Sequence, residues 1–140
     1  MSKLGVKLKA LILGGFVCAN AQTAQAQTVA DVQNVQNASL EITVPYTTLS
    51  SSHPAVITLQ INEPALLSVS APTPSGFSDP EGTQRTSALR YNEAEATDGT
   101  NLAISSPGTV DVEVEMQVIR PQSYLPNDYR YDVVLTVVAQ

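Results

Sequence analysis

Apolar and polar residues alternate with a period of two through long stretches of this chain. From Thr109 to Ile119, Val110, Val112, Val114, Met116 and Val118 stand against Asp111, Glu113, Glu115 and Gln117. At 3.6 residues per turn those valines would scatter around a helix axis, so the pattern predicts a strand with one buried face and one wet face. A second long strand is predicted at the end of the chain. There Tyr129, Tyr131, Val133, Leu135 and Val137 share one face, and Arg130, Asp132, Val134, Thr136 and Val138 share the other. The second face turns apolar at Val134 and Val138, which predicts cover on both sides of the strand's last half. Pro126, Asn127 and Asp128 supply turn chemistry just before it.

Shorter alternations fill in the rest. Leu40, Ile42, Val44 and Tyr46 mark a first strand, which Pro45 confines to an edge because proline donates no ladder hydrogen bond. Thr47 to Pro54 reads as a polar loop. Ile57, Leu59 and Ile61 then point inward, Asn62-Glu63-Pro64 interrupts, and Leu67 and Val69 resume, which predicts either a hairpin or a change of sheet. Pro72 to Thr83 is the longest irregular connection. Leu89 with Tyr91, and Leu102 with Ile104, mark short strands around an acidic loop, Asn92 to Thr100, that ends in the Asp98-Gly99 turn signal. Seven strand candidates without a helix predict an all-β fold, an immunoglobulin-like antiparallel β-sandwich of about seven strands. Residues 38–140 would form this domain. Residues 27–37, where Val29, Val32 and Val35 recur every third position, would form a flexible N-terminal arm.

Residues 1–26 read as a secretory signal peptide that is removed. Lys3, Lys7 and Lys9 form a basic start, Ala10 to Ala19 an apolar run, and Ala24-Gln25-Ala26 an A-x-A cleavage site, with Ala19-Asn20-Ala21 the alternative. The run of roughly ten residues is shorter than the ~20 a membrane-spanning helix needs. An exported product without a membrane span is expected, periplasmic or at the cell surface. Cys18, the only cysteine, lies in the removed part, so neither a disulfide nor a thiolate metal site is available to the mature chain. Processing also changes the charge. The whole chain carries −6, and loss of its three lysines leaves four arginines against thirteen acidic residues, a balance of −9. Such a surface repels nucleic acid and suits a cationic partner.

Catalytic chemistry finds little to work with. His53 is the only histidine, flanked by Ser52 and Pro54, and no nucleophile, base and orienting group can be assembled around it. Asp111, Glu113 and Glu115 form a carboxylate row about 7 Å apart at the usual strand rise, on a flat wet face without a cleft. Asp79 with Glu81, and Glu93, Glu95 and Asp98, cluster in loops where calcium would find oxygens, but without the EF-hand ligand pattern. The expectation is a non-enzymatic protein with no cofactor.

The corner Leu125-Pro126-Asn127-Asp128-Tyr129, running into Tyr131-Asp132-Val133-Val134-Leu135-Thr136-Val137, resembles the last strand of secreted bacterial β-sandwich subunits. These are the spore coat protein U-like and chaperone-usher pilus subunit families. Asn127 and Asp128 stand where those families usually have glycine, and the disulfide common among them is impossible here. The resemblance implies that this strand is the sixth of the sandwich, with an edge that takes a strand from elsewhere. It implies an exported structural or surface protein, a pilus or coat-type subunit that assembles by β-strand addition. Its partner would be a protein, through self-association or a periplasmic chaperone or envelope protein. Tyr129, Tyr131, Val134, Leu135 and Val138 are the candidate partner-edge residues. The alternative is a small extracytoplasmic binding module that uses the loops Pro72 to Thr83 and Asn92 to Thr100 for a carbohydrate, Ca2+ or an envelope protein. Amino-terminal sequencing of the exported product is expected to begin at Gln27; a product retaining Met1 would contradict the processing reading.

Overall fold

The computed structural model describes residues 4–12, 17–18, 29–43, 45–125 and 129–140. Among them are thirteen strands and no helix. In chain order these are β1 (Leu4–Ile12), β2 (Val17–Cys18), β3 (Ala30–Gln36), β4 (Ser39–Thr43), β5 (Thr48–His53), β6 (Ala55–Ile61) and β7 (Ala65–Val69), then β8 (Thr73–Pro74), β9 (Gln84–Tyr91), β10 (Ala94–Thr97), β11 (Leu102–Ile104), β12 (Gly108–Ile119) and β13 (Tyr129–Ala139). The fold is all-β and packs as a sandwich, as the period-two patterning predicts.

The first sheet is built on one long hairpin. β3 pairs with β6 and β4 with β5, so that residues 30–43 run antiparallel to residues 48–61. β12 lies along the other side of β5 and β6, and β9 and β10 follow. The second sheet is β13, β7 and β11, with β8 continuing β7 alongside β13. Between β7 and β8 the ladder runs on through Ser70, whose N–H donates to the Val134 carbonyl while the Val134 N–H donates to Ser70 Oγ, both at 2.9 Å. Asn62-Glu63-Pro64 is thus a crossing between sheets and not a hairpin turn.

Alternation decides what is buried. On β12, Val110, Val112, Val114, Met116 and Val118 face the core, and on β13, Tyr129, Tyr131, Val133, Leu135 and Val137 do. They meet Ile57, Leu59 and Ile61 from β6 and Leu67 and Val69 from β7. Burying each such aliphatic side chain contributes roughly 1.5–3 kcal/mol. With no tryptophan and two phenylalanines in the sequence, branched aliphatics fill the interior.

Several expectations need correction. Residues 30–36, within the segment read as a flexible arm, form β3: pairing with β6 supplies the backbone hydrogen bonds, and Ala30 closes over the core while Asp31 to Gln36 stay wetter. The sandwich accordingly begins before residue 38. Thr48–His53, read as loop, forms β5. Its run of hydroxyl residues lacks an apolar alternation, yet the strand is held by partners on both edges, β4 and β12. The Asn92 to Thr100 stretch contributes β10, turned back on β9 by Asn92 in the left-handed region at φ 55°. Tyr46 leaves the core face assigned to it. It sits at the tip of the β4–β5 hairpin with φ 69°, its N–H donating to the Thr43 carbonyl at 2.6 Å, and its side chain is exposed. The cleavage motifs at 19–21 and 24–26, Val44 and the corner residues 126–128 lie outside the described residues.

β1 joins the two sheets. It runs parallel to β13 in register from Leu4 beside Tyr129 to Ile12 beside Val137, and touches β4 at one position, Gly5 with Ser39. Truncation Leu59→Ala, at a fully buried position, is expected to lower unfolding stability by about 2–5 kcal/mol in a urea titration, while Leu125→Ala at an exposed one changes it by less than about 0.5 kcal/mol.

Candidate functional site

The chemistry-bearing side chains of this protein gather at the start of β13. Asp79, from the irregular connection between β8 and β9, has a side chain with no exposed surface. Its Oδ2 accepts from Arg85 Nε at 2.8 Å and its Oδ1 from Arg120 Nη2 at 2.9 Å. Tyr131 Oη donates to the same Oδ1 at 2.7 Å, and the Tyr124 and Tyr131 hydroxyls lie 2.9 Å apart. Arg120, at the end of β12, stacks its guanidinium over the Tyr124 ring at 4.0 Å, within the range of a favourable cation–π contact. Phe77 meets Tyr129 and Tyr131 edge-on, with centroids 5.3 Å away in each case. Tyr129 Oη donates to the Leu125 carbonyl at 2.5 Å, four residues upstream. A bond from a tyrosine at the head of a strand to a carbonyl a few residues upstream has the form of the tyrosine corner found in β-sandwiches.

Burial by itself would raise the Asp79 pKa, but the hydrogen bonds from Arg85, Tyr131 and Arg120 outweigh it and hold the carboxyl below its ordinary value. Burial pushes the Tyr131 and Tyr124 hydroxyls upward, so both stay neutral and available as donors. Arg120 is likewise depressed by desolvation and more than restored by Asp79. The arrangement is saturated. Both Asp79 oxygens are bound to protein donors, so the loop Pro72 to Thr83 does not present Asp79 to calcium, and Glu81 alone points outward there. This cluster ties the end of β12, the β8–β9 connection and the start of β13 into one joint.

The candidate partner-edge residues divide between two faces. Tyr129, Tyr131 and Leu135 are buried side chains of the core, whereas Val134 and Val138 lie half-buried on the outer face of the second sheet with Leu66 of β7. What β13 offers at its edge is backbone. One edge is taken by β7, Ser70 and β8; the other is taken, across nine residues, by β1 alone.

Elsewhere the polar groups are committed or solvated. In the carboxylate row, Asp111 accepts from Thr58 at 2.6 Å and Glu115 from Arg90 at 3.1 Å; Arg90 also bonds Glu95 at 2.7 Å. Exposed to solvent and screened by it, the Arg90 ion pairs contribute little to stability. Asp98 accepts from the Ser87 N–H and fastens the turn after β10. His53 is exposed at the end of β5. Among the described residues no three His, Cys, Asp or Glu side chains are placed to hold a metal ion, and no helix is long and apolar enough to cross a membrane. A shallow concavity of about 300 Å3 opens on the outer face of the first sheet, lined by Ser50, Ser51, Thr86, Thr97, Glu115 and Gln117.

No family model and no curated protein matches the chain.

Sequence reasoning named Asp79 only as a possible cation ligand and left Arg120, Tyr124 and Phe77 out. The usable signal was an aspartate in a Pro/Gly-rich loop whose sequence also holds an aromatic, in a chain with just four arginines. Substitution Asp79→Asn is expected to destabilise the protein by on the order of 3 kcal/mol at pH 7, because it leaves the buried Arg120 guanidinium without a counter-charge. The sign follows from the depressed pKa. The Asp79 contribution is complete above the unfolded value near ~4 and disappears as pH falls through the lower folded value. Thermal melts from pH 7 to pH 2 should show the wild-type advantage over the variant shrinking only at the acid end.

Proposed function

We propose that this protein is an exported, non-enzymatic structural or surface subunit that works by accepting an extended segment of another polypeptide along the free edge of β13. The observation that carries this reading is the identity of the segment now on that edge. β1 is Leu4–Ile12, inside the stretch that has the composition of a removable signal peptide. Its removal on export leaves β13 paired with β7 and β8 on one side only, and separates the second sheet from β4. An unpaired central-type strand of this length is a template for strand addition.

The register supports the same reading. Leu4, Val6, Leu8, Ala10 and Ile12 stand beside Tyr129, Tyr131, Val133, Leu135 and Val137, the five core-facing residues of β13. An incoming strand in that register would place its alternate residues beside the core-facing positions of β13. The resemblance of the β13 corner to pilus and coat subunits points the same way. Localisation follows the leader: periplasmic or at the cell surface.

A second reading has one observation in its favour. In the concavity on the first sheet, the side chains of Ser50, Thr86, Thr97 and Gln117 make no hydrogen bond within the described residues, and such groups suit a neutral polyhydroxyl ligand. A transition temperature that rises with a specific sugar would support it. For the leading reading, hydrogen exchange on the processed protein is the test. The β13 amides that face away from β7 are expected to exchange fast in the isolated protein and to become protected when its partner is bound. Slow exchange at those amides in the isolated monomer would sink strand addition.

A further inference from the structure

We infer that residues 4–12 act as an internal plug: in the unprocessed chain they occupy the β13 edge, and the protein becomes able to take a strand from another polypeptide only once the leader is cut from it. This inference rests on the strand-addition reading and names the regulation of that same edge.

The contact is a full ladder. β1 pairs with β13 in parallel over all nine of its residues without a register shift, from Leu4 beside Tyr129 to Ile12 beside Val137. The other edge of β1 is fastened near both ends. Gly5 pairs with Ser39 of β4, and Leu11 and Ile12 pair with Cys18 and Val17 of β2. Since β7 and β8 hold the opposite edge of β13, the unprocessed chain offers an incoming strand no row of free backbone groups there.

The leader's own pattern suits this second task. Export requires an apolar run, which Ala10 to Ala19 supplies. Upstream of it, Leu4, Val6 and Leu8 alternate with Gly5, Lys7 and Lys9. That period of two is not demanded by a basic start, but it is what a strand with one apolar row shows. The apolar positions, continued by Ala10 and Ile12, are the ones in register with Tyr129, Tyr131, Val133, Leu135 and Val137.

Covalent attachment gives the plug its strength and processing takes it away. Within one chain the pairing is intramolecular, so a free segment competes against an effective concentration on the order of millimolar. Cleavage does not itself break the ladder. It removes the tether, after which the leader is held only by its own affinity and a partner segment of comparable affinity displaces it.

Two forms of the protein test this: the unprocessed chain, made by cell-free synthesis without membranes, and the exported, processed chain. The probe is a synthetic nonapeptide with the sequence of residues 4–12, titrated by isothermal calorimetry. It is expected to bind the processed chain, and to bind the unprocessed chain roughly tenfold or more weakly. Leu8→Pro in the unprocessed chain disrupts the β1 ladder and leaves the sequence from β3 onward unchanged, so it should restore binding to the processed level. Hydrogen exchange at the β13 amides that face β1 should be slow in the unprocessed chain and fast in the Leu8→Pro and processed forms. Equal affinity of the peptide for processed and unprocessed chains overturns the plug while leaving strand addition in place, as does a Leu8→Pro chain that binds no better than its parent. Failure of the peptide to bind a processed chain whose β13 amides exchange fast also overturns the plug alone. Slow exchange at those amides in the processed monomer overturns strand addition, and the plug with it.

Discussion

The structure depends on a carboxylate removed from water. Asp79 sits where the β8–β9 connection crosses the ends of β12 and β13, and its two oxygens receive Arg85, Arg120 and Tyr131. A lone buried charge would favour the unfolded state; four hydrogen bonds from these three residues reverse that balance and in doing so set the positions of the elements that supply them. The aromatic rings of Phe77, Tyr124 and Tyr129 then close around the Arg120 guanidinium. An irregular loop of prolines and glycines becomes a rigid joint in this way, and β13 leaves it at a determined height and angle.

That placement matters because β13 carries a full row of core side chains between backbone partners on both edges. Its inner side chains complete the core, and one backbone edge is held by β7 and β8. The other edge is held by β1. On the strand-addition reading proposed above, the well-anchored base would keep the pairing groups of β13 in line before a partner arrives.

Most acidic groups outside the Asp79 joint are exposed and answered weakly by surface partners such as Arg90 and Thr58. Asp132 is the exception, since its Oδ1 is shielded and has no hydrogen-bond partner. The wet outer row of β12 and the bulged, polar β3 protect the opposite flank of the sandwich against unwanted pairing.

The sequence by itself determined the fold class, the two long strands and which of their residues are inside, because a side-chain period of two is a local property that burial reads directly at Val110 to Val118 and Tyr129 to Val137. It also determined the supply of cations, since composition fixes how many there are. Only the tertiary structure decided that Ala30–Gln36 and Thr48–His53 are strands, for their Gln-, Asn- and Ser-rich runs carry no apolar period and are held by neighbours distant in sequence. It alone converted Asp79 from a possible cation ligand into the centre of a buried joint, because Arg85, Arg120 and Tyr131 lie 6, 41 and 52 residues away along the chain. It alone separated the candidate edge residues into core side chains and outer-face ones, since the same alternation is compatible with either edge being open until the partner of each strand is known.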